Sequence, residues 1–323
     1  MATFTRLDDR DFAALGGTFE LGAIQAWRPI AAGTINSNFE IHAGAGRFFV
    51  RVNEGKSEAD VAWEAALVAD LAAAGVSTPP ARLTRDGDPF ARHPVGDTVR
   101  LISVFPWIDG HHLGAGEVTP AATAAVGTAL ARLHLASAAI PPARHRAGRY
   151  TYGHIKARFA SFAESRDPSL AHAIALIADE IAELDAQGAL RAALPRGIIH
   201  GDLFRDNVLF DGGRVVAVID FEQAAAGAFL YDLAVGVNDW CWRDASFASS
   251  LVDAMLAGYQ RERPLTDLEQ RMFPVEARAA AMRFTVTRIT DVHLAGIEKP
   301  DKDFRDYLAR LEALRALPVS AGP

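Results

Sequence analysis

Apolar and polar residues alternate along "GRFFVRVNE" (46–54), and the Phe and Val content fits a strand. In "ARLTRDGDPFARHPVGDTVRLISVF" (81–105), short strand-like runs are separated by "DGD" and "PVGD". These turn chemistries predict an antiparallel meander. Between the two lies "SEADVAWEAALVADLAAAGV" (57–76), with helical apolar spacing and a stop at Gly75. From about residue 119 the pattern turns helical. "TPAATAAVGTALARLHLASA" offers Thr119 as N-cap and Pro120 at the first helical position. "HAIALIADEIAELDAQGAL" and "VEARAAAMRFTVTRITDVHL" predict two more helices. The β signal in this half is one hairpin. "NVLF" (207–210) is a strand, "DGG" (211–213) a turn tolerant of positive φ, and "RVVAVIDF" (214–221) the return. The character changes at "FPWIDG" (105–110), which reads as a hinge between a unit at 1–104 and one at 111–323. The 140–149 stretch reads as a connector and "PVSAGP" as a frayed end. No internal repeat is present, and the class is α+β.

Composition narrows the chemistry. The chain has 323 residues, half of them apolar, and a net charge of −7 without a basic run, which argues against a nucleic-acid partner. A negative field does not draw in anions, so any phosphate must be held locally or through metal. Cys241, the single cysteine, excludes an internal disulfide and fits a reducing compartment. The mixed, early-charged N-terminus and the lack of an apolar run near ~20 residues predict no membrane span and a cytoplasmic protein.

The hairpin carries the candidate chemistry. With Phe210 opposite Arg214, Ala217 falls opposite Asn207 and Asp220 opposite Phe204, so one end gathers Asp202, Asn207 and Asp220. Asn207 and Asp220 offer oxygens suited to Mg²⁺, which takes few protein ligands plus water and phosphate. Asp202, at the loop start, is placed to accept a proton.

"HGDLFRDN" followed by "VIDF" resembles the catalytic and metal-binding segments of kinase-fold small-molecule phosphotransferases, the group of the aminoglycoside and choline kinases. The resemblance implies a bilobal, protein-kinase-like α+β fold. It expects a small antiparallel-sheet N-lobe with one main helix and a larger, mostly helical C-lobe. It further implies Asp202 as catalytic base, Asn207 and Asp220 as Mg²⁺ ligands, His200 as a structural loop residue, and phosphoryl transfer from ATP to an alcohol. Such a fold needs a strand cation and a helical Glu. Arg51, inside "FFVRV", and Glu64, near the stripe of Val61, Val68 and Leu71, are each awkward alone and reasonable as a pair. Arg51 stands where the group usually has Lys, and the two are not equivalent. The phosphate-covering loop falls in "PIAAGTINSNFEI" (29–41), where Asn36, Ser37 and Asn38 offer side-chain donors in place of a Gly-rich cradle. "EGKS" (54–57) is not a Walker A motif, because Val50 occupies the position of its first Gly. By the same analogy the backbone from Val104 through Pro106 to Ile108 would contact adenine.

A narrower resemblance comes from "GTINSNFEI", "HGDLFRDNVLFDG", "YDLAVGVNDWCW" (231–242) and "ARAAAMRFTVTRITDVHL" (277–294). In this order and spacing they look like the kinase-fold homoserine kinases of bacteria, and "NDWC" is the most telling piece. The implied reaction is ATP plus L-homoserine giving ADP and O-phospho-L-homoserine, on the route to threonine. The substrate's carboxylate calls for Arg and its ammonium for carboxylates or amides. Arg283 and Arg288 are the candidates for the first, although about 140° apart on a helix. Asn238, Asp239 and Asp206 are the candidates for the second. Trp240, Cys241 and Trp242 read as packing. Two departures from the family pattern stand out: Thr285, and Glu222 with Gln223 after Asp220. The rival readings are a kinase for another amino alcohol or an aminoglycoside, and an inactive pseudokinase.

Overall fold

A capping box opens the first element of the computed structural model, which describes residues 5–30 and 36–317. Asp8 accepts from the N–H groups of Arg10 and Asp11, and Asp11 accepts from the N–H of Asp8, starting α1 (Asp9–Thr18). This short helix is an addition to the expected elements. The strands β1 (Ile24–Ile30), β2 (Ser37–Ala43) and β3 (Gly46–Val52) follow, then α2 (Glu58–Ala73), β4 (Ala91–Val95) and β5 (Thr98–Pro106). They form one antiparallel sheet in the order β1-β2-β3-β5-β4. The alternation in β3 buries Phe48, Val50 and Val52 on one face. Phe12 and Leu15 of α1 and Phe19 at its C-cap complete that core with Phe39, Ile41 and Val104.

Two expected segments are located here. The segment 29–41 is mainly the end of β1 and most of β2; its centre, 31–35, lies outside the described residues. The segment 105–110 begins as the end of a strand and falls in the first unit. β5 runs through Pro106, the Trp107 N–H donates to Arg47 O at 3.1 Å, and the first of two compact units is Met1–Gly110.

The second unit, His111–Pro323, is mostly helical. It contains α3 (Pro120–Ala138), α4 (Tyr152–Ala160), α5 (Ala171–Ala186) and α6 (Gly188–Ala192), then β6 (Arg196–Ile199), β7 (Val208–Asp211), β8 (Arg214–Val218) and β9 (Ala225–Ala228). The remaining helices are α7 (Phe229–Trp240), α8 (Ser249–Glu262), α9 (Asp267–Arg288) and α10 (Arg305–Ala316). Thr119 caps α3, with Pro120 in its first turn. α3 and α8 cross at Gly127 and Gly258. A Cβ on Gly127 would lie 2.2 Å from Met255 O, and one on Gly258 2.1 Å from Ala124 O, so no other residue permits this crossing. Ala280, Val286, Leu311 and their neighbours on α5, α7, α9 and α10 build the main core.

The hairpin forms with a different register. Asp211 pairs with Arg214 and Phe210 with Val215, then Leu209 with Ala217 and Val208 with Val218. The slip between Leu209 and Phe210 is a bulge that absorbs one residue. Asp220 therefore lies beyond the end of the ladder, next to Asn207, and not opposite Phe204. β6 and β9, an antiparallel pair flanking the hairpin in sequence, were not among the expected strands.

Candidate active site

The loop after β6 is held by α7. The Asp232 carboxylate accepts from the His200 N–H and the Gly201 N–H, both at 2.7 Å. Burial alone would raise the Asp232 pKa. The bonds from His134 and the Gly201 N–H outweigh it and leave the carboxyl below its ordinary value. His134, fully buried and kept neutral by loss of hydration, bridges Asp232 at 3.0 Å and the Tyr259 hydroxyl at 2.7 Å. Gly201 has φ +76°, and a side chain there would press on Gln223 O at 3.1 Å. His200 is buried, and its Nε2 contacts Ile219 O at 3.0 Å, tying the loop to the end of β8.

Asp202 follows immediately. Its side chain is recessed, with 30% of its surface exposed, and its carboxylate receives no hydrogen bond among the described residues. Loss of hydration pushes its pKa up to about 6; Arg283 and His200 oppose the shift, while Asp220 and Asp206 reinforce it. The Arg283 guanidinium is 3.8 Å from Asp202 Oδ1. Asn207 Nδ2 donates to Asp202 O at 2.8 Å, and Asn207 O accepts from the Ile219 N–H at 3.0 Å. This leaves Asn207 Oδ1 as the available acceptor. Asp220 sits in the left-handed region, φ 65° and ψ 70°, a conformation costly for a non-glycine residue. Its Oδ1 accepts from the Glu222 N–H at 3.4 Å. One amide oxygen and one carboxylate are a donor set that fits Mg²⁺ alongside water and phosphate. Among the described residues no group of three or more His, Cys, Asp or Glu side chains forms a fuller metal centre.

Several residues expected at the substrate are engaged elsewhere. Asn238 is fully buried and its Nδ2 donates to Ala234 O and Ala277 O, stapling α7 to α9. Asp239 accepts from the Arg205 N–H at 2.9 Å and its Nε at 3.2 Å, so it supports the loop. Arg288 donates to Asp303 O at 2.8 Å, pairs with Asp306 and lies over the Tyr307 ring. Asp206 is exposed on the turn 205–207. Trp240 donates to Leu203 O, and Cys241 is buried with its thiol pushed up to about 12, as packing residues. Arg146 donates to the main-chain carbonyls of Glu222 at 3.0 Å and Ala224 at 3.1 Å, which holds the turn after Asp220 but does not account for the side chains of Glu222 and Gln223.

In the first unit, Arg51 Nη1 lies 3.3 Å from Glu64 Oε1. The other Glu64 oxygen meets Lys56 Nζ at 2.8 Å, a residue of the rejected "EGKS". Both cations are mostly buried, at 12% and 15% exposure. Sequence reading missed Lys56 because only the fold brings it to Glu64. Asn36 and Ser37 are buried. Asn36 accepts from the Glu54 N–H, while Ser37 accepts from the Thr5 N–H and donates to Glu54, so these side chains brace the sheet and do not face a ligand. Val104 O is taken by the Arg82 N–H at 2.7 Å, and Pro106 has no N–H, so neither offers the expected pair of adenine contacts.

A two-unit α+β fold with this loop and hairpin defines a kinase-fold phosphotransferase. Residues 26–265 match the pattern of the phosphotransferase enzyme family, and the chain belongs to that family. It is 36% identical to a homoserine kinase of Gluconacetobacter diazotrophicus over 98% of this chain and 97% of the relative. It is 33% identical to a homoserine kinase of Parvibaculum lavamentivorans over 100% and 98%. Among solved structures, an amicoumacin kinase in complex with AMP-PNP, Ca²⁺ and amicoumacin superposes with a TM-score of 0.73, at 15% identity over 98% of this chain and 96% of that one. A choline/ethanolamine kinase family protein from Mesorhizobium loti gives 0.64 at 18% identity, over 98% and 96%. At these identities the structures speak to the fold. No described helix is long and apolar enough to cross a membrane.

Proposed function

We propose that the chain transfers the terminal phosphoryl group of ATP to the side-chain hydroxyl of L-homoserine, giving ADP and O-phospho-L-homoserine on the route to threonine. The observation that carries this reading is Asp202: a recessed carboxylate without a hydrogen-bond donor among the described residues, on the loop that Asn207 ties to Ile219, the neighbour of Asp220, in a chain that matches homoserine kinases end to end. Asp202 accepts the hydroxyl proton as the oxygen attacks phosphorus, and a pKa near 6 keeps it ionised at neutral pH. Mg²⁺, held by Asn207 Oδ1 and Asp220, would neutralise phosphate charge. We assign Arg51 and Lys56 to the phosphates, with Glu64 fixing both cations. The arrangement compensates for the absence of Lys at position 51 and argues against a pseudokinase. An ADP-release assay over homoserine, choline, hydroxylysine, methylthioribose and kanamycin tests the reading. Homoserine is expected to give the highest kcat/KM, and a higher value with any other acceptor overturns it.

A further inference from the structure

A cavity of about 250 Å³ lies within the second unit, with Ile199 and Gly201 in its wall. Tyr150, Tyr231, Gln223, Arg191 and Arg283 are among its walls. Its charge is one-sided. Arg149, Arg191, Arg196 and Arg283 line it, and Glu276, its one acidic lining residue, is taken up by Arg191 at 2.6 and 3.3 Å. Arg283 is unusual among these cations. Only 7% of its side chain is exposed, and its guanidinium sits 4.3 Å from the Tyr150 ring centre and 3.7 Å from that of Phe284. None of its N–H groups makes a hydrogen bond among the described residues; its ionic neighbour, Asp202 Oδ1, is 3.8 Å away. A guanidinium has five donors, and leaving them unmet in a recessed site is costly. The two rings fix the plane of its fork, which suits a planar carboxylate. The Tyr231 hydroxyl, in the same wall, is likewise without a hydrogen-bond partner among the described residues.

We infer that Arg283, clamped by Tyr150 and Phe284, and the Tyr231 hydroxyl form the seat for the acceptor's carboxylate, and that this seat restricts the enzyme to hydroxylated amino acids. The inference rests on the phosphotransferase reading above. A short acceptor held there by its carboxylate presents its hydroxyl to Asp202, because Arg283 and Asp202 are neighbours. Amino alcohols without a carboxylate leave the donors unmet, and polycations meet a surplus of positive charge.

The test compares L-homoserine with 3-aminopropan-1-ol, the same molecule without the carboxylate, in the wild-type chain, Arg283→Gln and Tyr231→Phe. The wild type should prefer homoserine by 100-fold or more in kcat/KM. In Arg283→Gln that preference should fall about 100-fold, mainly through KM for homoserine. In Tyr231→Phe, which removes one oxygen and leaves the packing intact, it should fall about tenfold. Equal losses on both acceptors would mean that Arg283 only balances the charge of Asp202, and would overturn the seat. So would a wild type indifferent to the carboxylate. A wild type that phosphorylates neither compound yet turns over another acceptor overturns the homoserine reading itself, an outcome distinct from the other two.

Discussion

The loop 200–207 has two sides, and they are built on opposite rules. Toward the buried face of α7, each polar group binds the loop backbone: Asp232 holds the N–H groups of His200 and Gly201, Asp239 holds that of Arg205, and Trp240 reaches Leu203 O. On the other side the groups stand open: the Arg283 guanidinium and the Tyr231 hydroxyl in the cavity wall, and the Asp202 carboxylate 3.8 Å from Arg283. Neighbours in sequence fall on different sides, as Tyr231 and Asp232 do. Residue type therefore does not separate scaffold from site; whether the hydrogen-bonding groups are already engaged does. An engaged group positions the loop, and an open one in a recessed place is ready for a ligand.

Breaking the open side at its centre has the largest expected effect. Asp202→Asn keeps the shape and removes the base, and kcat/KM for homoserine should drop by roughly 10³-fold or more. The same variant should gain stability. Asp202 titrates near 6 in the fold against about 3.9 in an unfolded chain, so at pH 7 its charged form is penalised by folding. Because the group retains some exposure, the gain should be about 1 kcal/mol, seen as a higher midpoint in urea. A variant that keeps a tenth of the wild-type rate removes Asp202 from the role of base.

The engaged side should break differently. In Asp232→Asn one amide oxygen replaces two carboxylate oxygens, and the new NH₂ faces a backbone donor or His134. Stability should fall by about 3 kcal/mol, as expected when a buried charged partner is removed, with kcat falling alongside. Denaturant unfolding followed by circular dichroism measures it, and wild-type stability would show that α7 does not hold the loop.

How much of this could be read in the sequence depends on how local each feature is. The alternation in β3, the apolar stripe of α2 and the Gly turn of the hairpin lie within single elements, so the main outline of both units was legible. β6 and β9 were not, because four residues of Arg-Gly-Ile-Ile or Ala-Ala-Gly-Ala carry no period. β1 and β2 escaped because Pro29 and the Asn-Ser-Asn run imitate a loop. Asp202, Asn207 and Asp220 are close in sequence, so their gathering was visible, although the bulge that sets Asp220 beside Asn207 was not. The cavity joins residues 150, 231 and 283, and Glu64 gathers Lys56 from a preceding loop. Only the fold creates such meetings. Asn238 and Asp239 misled for a related reason: a sequence gives donors and acceptors but not which of them are already satisfied.

A pH profile sharpens the comparison with a smaller effect. Asp202 is protonated below its pKa, so kcat/KM should fall toward a tenfold loss per pH unit on the acid side of about 6 and level off above it. Arg283 lowers the Asp202 pKa, so Arg283→Gln should move the break to higher pH, while Asp202→Asn should abolish it. A flat profile from pH 5 to 8 would mean that another group limits the reaction.

The smallest effect is expected at Arg288, which tests the rule from the other direction. It shares α9 and residue type with Arg283, yet its guanidinium donates to Asp303 O, pairs with Asp306 and rests 4.6 Å from the Tyr307 ring centre. Its donors are engaged at the junction of α9 and α10, and it does not line the cavity. Arg288→Gln should leave kcat/KM for homoserine within twofold of the wild type and lower stability by about 1 kcal/mol, as for one partly exposed charged hydrogen bond. If Arg288→Gln raised KM as strongly as Arg283→Gln, engagement in the unliganded chain would not mark a scaffold arginine, and the division between the two sides of the loop would fail.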